Sequence, residues 1–149
     1  MIPETLIAGY AGLFAAAFVA ATILPAQSEL LLGAMLVSGR FDTAALLAVA
    51  TAGNVLGSVV NWLFGRYFAH YREKRWFPAS PTRMARAEAW FARFGPTVLL
   101  LSWVPVIGDP LTVVAGVLRM RFATFLLVVT LAKGGRYLFL TIAVMNWLA

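Results

Sequence analysis

Two long runs without a charged residue set the terms for everything else in this chain. Residues 5–24 (TLIAGYAGLFAAAFVAATIL) give 20 in succession, and residues 43–65 (TAALLAVATAGNVLGSVVNWLFG) give 23. A helix needs roughly 20 apolar residues to cross about 30 Å of hydrocarbon, so each run predicts a membrane-spanning helix. Composition agrees, with 62% hydrophobic and 12% charged residues; soluble domains carry about 45–50% and about 25%. So little charge cannot coat a water-facing surface, and a disordered chain is poor in apolar residues. The expectation is an all-α integral membrane protein, with 1–149 a single membrane domain. The 5–24 run has no basic lead-in and exceeds the apolar core of a signal peptide, so it reads as an uncleaved membrane helix.

The remaining apolar stretches are broken. Residues 26–39 are too few to span, follow Pro25 and carry Glu29. Residues 95–118 are interrupted by Pro105, Gly108, Asp109, Pro110 and Gly116. Proline removes a backbone donor and clashes with the preceding turn. Short, proline-broken segments carrying an acid predict re-entrant hairpins, which survive in a bilayer only when shielded by protein or lining a wet cavity. Residues 122–149 can span again, with Lys133 and Arg136 inside the run.

The polar stretch 66–93 holds Arg66, Arg72, Lys74, Arg75, Arg83, Arg86 and Arg93, seven of twelve basic residues. The excess of positive charge places it in the cytoplasm. Ser80-Pro81 reads as an N-cap and first-turn proline. Met84, Ala87, Phe91 and Phe94 then follow at helical spacing, giving an amphipathic helix at the membrane interface.

The two broken segments also align. Pro25 precedes Glu29 by four residues and Pro105 precedes Asp109 by four; Arg40-Phe41 closes one segment and Arg121-Phe122 the other. Gly53 and Gly134 each lie twelve residues beyond the phenylalanine. The chain thus divides into a helix at 5–24, a hairpin plus span at 25–65, a basic loop with an amphipathic helix at 66–94, and a second hairpin plus span at 95–149. With 66–93 cytoplasmic, the hairpins enter from opposite sides, the inverted repeat of many secondary transporters.

These same residues carry a resemblance. The segments LPAQSELLLGAMLVSG (24–39), GNVLGSVVNWLFGR (53–66), WFARFGPTVLLLSWVPVIGDPLTVVAGVLRM (90–120) and KGGRY (133–137) resemble the DedA family of bacterial inner-membrane proteins, in its YqaA-like branch. The resemblance spans nearly the whole chain. It implies the fold shared with VTT-domain lipid scramblases, two oppositely oriented re-entrant hairpins among spanning helices, and a role in lipid translocation. DedA relatives have been linked to the return of undecaprenyl phosphate across the membrane and to dependence on proton-motive force. One departure matters. Better-studied members carry Arg-Phe-x-Pro-Gly-x-Arg around the second hairpin's proline; here the stretch is Ser102-Trp103-Val104-Pro105-Val106-Ile107-Gly108, then Asp109. Lys133 and Arg136 are the candidate replacements for the missing arginines.

Each polar residue carries two readings. An ionised group near the bilayer centre costs about 2.5–3.5 kcal/mol. Glu29 is accordingly a proton-coupling carboxylate or a structural partner of Arg40, Lys133 or Arg136. Asp109 is its counterpart, or a cap that organises the turn before Pro110. A Gly-Asp pair also occurs in intramembrane aspartyl proteases, but those need a second membrane aspartate, and Asp42 sits at a segment end. Lys133 and Arg136, three apart, share a helix face; they bind a substrate phosphate or neutralise the two acids. Arg40, Arg119 and Arg121 at the hairpin exits are interface anchors or phosphate contacts. Asn54, Ser58 and Asn61 line a headgroup cavity, or join the Gly53/Gly57 pair in close helix packing.

Zero cysteines exclude disulfides and thiol chemistry, and the single histidine, His70, cannot form the usual metal cluster. No cofactor is expected. The net charge of +6 punctuates apolar runs, so anionic lipid headgroups rather than nucleic acid are the expected partners. The expectation is not an enzyme. It is an inner-membrane, multi-pass flippase or scramblase for a lipid phosphate, proton-sensitive through Glu29 and Asp109. The alternatives are a small proton-coupled ion or solute transporter and a structural membrane protein. So short a chain encloses little of a lipid path, which leaves room for a homodimer.

Overall fold

The computed structural model describes residues 4–22, 27–71, 74, 80–104 and 108–148, and among these every regular element is helical. The order is α1 (Glu4–Thr22), α2 (Gln27–Ser38), α3 (Thr43–Tyr67), a 3-10 turn (Ala69–Tyr71), α4 (Pro81–Phe94), a 3-10 helix (Gly95–Trp103), α5 (Gly108–Val117) and α6 (Phe122–Leu148). Three of them, α1, α3 and α6, are long and apolar enough to cross a membrane. At 1.5 Å per residue the 25 residues of α3 extend about 37 Å. The 12 residues of α2 and 10 of α5 reach only about 18 and 15 Å, roughly half a bilayer core. Pro25 and Pro105, expected as hairpin breaks, lie outside the described residues; Gly108 and Pro110 fall in the first turn of α5.

The chain forms two compact units, one of Met1–Gly57 with Lys133–Ala149 and one of Ser58–Ala132. In the first, α1 packs along α2 and meets α3 through glycine. A Cβ on Gly53 would lie 2.5 Å from the Phe14 carbonyl oxygen, and one on Gly57 2.5 Å from that of Phe18. Between them Asn54 Nδ2 donates to the Ala17 carbonyl at 2.9 Å. Small residues let the backbones approach, and the amide supplies a bond that lipid cannot. Leu13, Leu32, Leu36 and Leu46 form the core, with the Tyr137 ring of α6 among them. Phe41 packs edge-on against Tyr10, centroids 5.3 Å apart. The Tyr10 hydroxyl accepts from the Asp42 amide at 3.1 Å, and the Asp42 carboxylate caps α3 by accepting from the Ala45 amide at 2.9 Å. One Arg-Phe-Asp turn is thereby fastened to α1.

The second unit has a glycine contact of its own. Gly65 lies against the backbone of Val113 and Gly116 against that of Trp62, and neither has room for a Cβ. Asn61 Nδ2 donates to Thr112 Oγ1 at 3.1 Å. Trp62 Nε1 donates to the Met120 carbonyl at 3.2 Å while its ring packs 5.4 Å from Phe122 and 5.9 Å from Phe125. Helix α4 starts as the sequence expects: Ser80 Oγ accepts from the Arg83 amide at 3.3 Å, Pro81 opens the first turn, and Met84, Ala87 and Phe91 turn inward. Phe94, expected on the same face, is 56% exposed. It sits at the edge of the buried stripe, where Gly95 (φ 66°) ends the α-helix and the chain tightens into the 3-10 helix.

Candidate functional site

Lys133, Arg136 and Tyr137 stand at i, i+3 and i+4 on α6, so one helix face presents all three. All are buried, Lys133 and Tyr137 completely. The first turn of α2 brings Ser28, also fully buried, and Glu29 to the same group. Ser28 Oγ and the Tyr137 hydroxyl share a hydrogen bond of 2.9 Å. Arg136 Nε lies 3.3 Å from Glu29 Oε1, and Arg136 Nη2 donates to the Tyr137 hydroxyl at 3.5 Å, the outer limit for such a bond. The Arg136 guanidinium carbon stands 5.1 Å from the centre of the Tyr137 ring.

The quality of these contacts is what makes the group a candidate site. The Arg136–Glu29 approach is close enough for an ion pair but is not aligned as a hydrogen bond. Arg136 Nε and Nη1 and Glu29 Oε1 are buried atoms without a hydrogen-bond partner among the described residues. The burden is uneven, because the arginine side chain is 4% exposed and the glutamate 26%. A guanidinium taken out of water is stabilised only when its donors are filled and its charge is met. Here the charge is met from one side, and among the described residues neither Nε nor Nη1 has a hydrogen-bond partner. The N–H groups of a planar guanidinium suit the oxygens of a phosphate or carboxylate; Nε and Nη1 point to different sides of the fork, so each calls for its own oxygen. The arrangement can accept a tetrahedral oxyanion in exchange for the loose contact with Glu29.

The other candidates from the sequence fall elsewhere. Asp109 belongs to the first turn of α5, and its side chain lies outside the described residues. Arg40 is exposed two residues beyond the end of α2 that lies away from Glu29, and its amide donates to Ser38 Oγ at 3.3 Å. Arg121 and Arg119 are exposed and belong to the second unit. Asn54 and Asn61 both make interhelical hydrogen bonds, and Ser58 is fully buried. Ser28 and Tyr137 were assigned no chemistry by sequence. The signal was present, since Tyr137 stands four residues after Lys133 and Ser28 directly precedes Glu29, but tyrosines as a class read as membrane-belt residues, although Tyr137 lies midway along α6.

The model of the VTT domain matches residues 24–146. Inner membrane protein YqaA of Escherichia coli (strain K12) is 40% identical over 125 residues, covering 84% of this chain and 83% of that protein. Two more distant relatives carry functional names. An alkaline phosphatase-like protein of Lactococcus lactis subsp. cremoris is 28% identical over 72% of this chain and 56% of its own length. Undecaprenyl phosphate transporter A of Staphylococcus aureus is 27% identical over 78% of this chain and 63% of its own. No solved structure matches the chain. A chain with three helices able to span, matched by this domain over most of its length and by an inner membrane protein at 40% identity, belongs to the VTT domain (DedA) family and is a multi-pass inner-membrane protein.

Proposed function

We propose that this protein is a lipid transporter, a flippase or scramblase, that moves a lipid carrying a phosphate headgroup. The observation that carries the reading is the buried Arg136 guanidinium, with two donors that no described residue fills, beside a loosely held carboxylate. A headgroup phosphate supplies the oxygens those donors lack. Lys133 on the same α6 face adds a second positive charge, and Tyr137 and Ser28 add hydroxyls. Arriving phosphate takes the place of Glu29 on Arg136, and the released carboxylate is the group that would couple transport to protons. The relationship to an undecaprenyl phosphate transporter supports a polyprenyl phosphate as substrate.

In this reading Asp109 plays the part of Glu29 in a second, inverted repeat, with 66–93 on the cytoplasmic side. The backbone gives the repeat some support. The short helices α2 and α5 both lead to a residue with positive φ, Gly39 at 69° and Arg119 at 59°. These two positions are 80 residues apart, as are Pro25 and Pro105, and Glu29 and Asp109. Arginine in a conformation that ordinarily favours glycine is held by three amides, of Leu118, Arg119 and Met120, donating to the carbonyls of Val114, Gly116 and Ala115 at 2.9–3.0 Å.

The test is headgroup translocation in proteoliposomes, with labelled undecaprenyl phosphate and a labelled phospholipid, for wild type, Arg136→Gln and Glu29→Gln. Movement of the lipid phosphate that both variants lose is the expected result. Movement that survives both substitutions would remove the pair from the mechanism. Ion flux without lipid movement would make this a solute transporter. Release of inorganic phosphate, lost on His70→Ala, would make it a phosphatase.

A further inference from the structure

The arginines of α4 are unused by the site described above, and their placement is not scattered. Arg86 and Arg93 are seven residues apart, two helical turns, with Trp90 four residues after Arg86 and Phe94 four after Trp90. They therefore share one face. It lies beside the face that Met84 and Phe91 bury, and Arg86 and Arg93 are both exposed. Next to this face, α4 and the following 3-10 helix enclose a groove of about 220 Å³ lined by Trp90, Phe94, Thr97, Val98 and Leu101. The Arg93 guanidinium carbon stands 5.2 Å from the centre of the Phe94 ring, which fixes a cation at the edge of the groove.

We propose that this groove holds one anionic glycerophospholipid, its phosphate on Arg86 and Arg93 and an acyl chain along Trp90, Val98 and Leu101. Three observations select that occupant. The lining is apolar apart from Thr97, whose hydroxyl is already bonded to the Phe94 carbonyl at 2.7 Å. The adjoining surface of the 3-10 helix exposes Leu100, Leu101 and Trp103 at 39–48%, which only hydrocarbon can cover at low cost. Cations and interfacial aromatics stand directly beside this apolar surface, the sequence of chemistries found at a membrane–water boundary. The second groove of α4, about 320 Å³, makes the contrast: Glu88 is in its lining, whereas the first groove has no acid in its lining and Arg93 against its Phe94. An anion has reason to choose the first. The proposal stands apart from the transport reading, because it concerns a resident lipid and is read out by binding.

The experiment uses the full-length protein in detergent with palmitoyl-oleoyl phosphatidylglycerol or phosphatidylcholine, retained lipid being counted by native mass spectrometry. Phosphatidylglycerol is expected to be retained over phosphatidylcholine. Arg86→Gln with Arg93→Gln lowers its affinity about thirtyfold, taking each surface arginine at its usual worth against an anionic lipid. Filling the groove with Leu101→Trp, or with Thr97→Trp should the first variant fail to fold, lowers retention with both arginines intact. A phosphatidylglycerol brominated on its acyl chain quenches a part of the fluorescence that Trp90→Phe removes. Equal retention of the two lipids overturns the proposal. So does loss of retention in the arginine variant with none in either groove-filling variant, since the arginines would then act as diffuse surface charge. A dimer that the arginine variant dissociates, with no lipid dependence, would make the face a protein interface instead.

Discussion

The two units handle polar groups in opposite ways. In the first, among the described residues, two cations and a carboxylate are drawn inward: Lys133 and Arg136 are buried and Glu29 is three-quarters covered. In the second, the buried polar side chains among the described residues, which do not include that of Asp109, are neutral, Ser58, Ser102 and Thr112, while Arg83, Arg86, Arg93, Arg119 and Arg121 are exposed. Both units use the same device for helix contact, a pair of glycines that brings two backbones together, both on α3 in the first and one on each facing helix in the second. The shared device with contrasting charge separates what the fold requires from what it does not. Close packing of small residues is needed to build either unit. A buried ion pair is not, and its cost in a bilayer asks for a function.

The largest effects should therefore come from the charges of the first unit. Arg136→Met leaves Glu29 without its cation and is expected to cost about 3 kcal/mol, the low end for breaking a buried pair, because 26% of the glutamate remains exposed. Thermal unfolding in detergent measures it. Adding Glu29→Gln to that variant should recover much of the stability, since a pair of uncharged side chains needs no compensation, while lipid transport stays absent. Recovered transport would show that the charges serve the fold alone. In the second unit the comparable test is steric. Gly116→Ala drives a methyl group into the Trp62 backbone and is expected to cost about 1–3 kcal/mol, the range for overpacking. A Gly116→Ala protein as stable as wild type would mean that α3 and α5 separate freely.

How much of this was legible in the sequence follows from the range of each interaction. The three spanning helices and the amphipathic α4 rest on runs and periodicities within a single element, and the capping Ser80 is read from its neighbours. The Gly53/Gly57 pair was visible because both residues lie on one helix at a spacing of four. Gly65 and Gly116 were not, because their contacts, Gly65 with Val113 and Gly116 with Trp62, join residues 48 and 54 positions apart and neither helix shows the spacing alone. The Arg136–Glu29 pair was one option among several, since two acids and several bases allow many pairings and sequence does not choose. The Ser28–Tyr137 bond was invisible for the same reason, spanning 109 residues.

That hydroxyl bond offers a finer test of the first unit. Tyr137→Phe removes the partner of Ser28 and the acceptor of Arg136 Nη2. An ordinary hydrogen bond is worth about 1 kcal/mol net, so the stability loss should be near that figure. If the hydroxyl also contacts the headgroup, transport falls by more than the stability loss accounts for. Equal losses in both measurements would confine Tyr137 to packing.

The smallest expected effect bears on the proposed repeat. Gly53 and Gly134 occupy matching positions, each twelve residues past its phenylalanine, yet their surroundings differ. A Cβ on Gly53 would meet the Phe14 carbonyl oxygen at 2.5 Å, whereas one on Gly134 would find Thr51 Cγ2 at 3.6 Å, an ordinary contact. Gly134→Ala should therefore be tolerated and even stabilise the protein by about 0.5–1 kcal/mol, the difference in helix propensity. Gly53→Ala should destabilise it. Thermal unfolding of the two variants decides between two accounts of the glycine match. Opposite signs mean that the two long helices retain a common pattern while only one uses it for close approach. A Gly134→Ala protein that is destabilised, or that is stable but transports poorly, would mean that α6 must come closer to α3 at some point in the transport cycle than it does here.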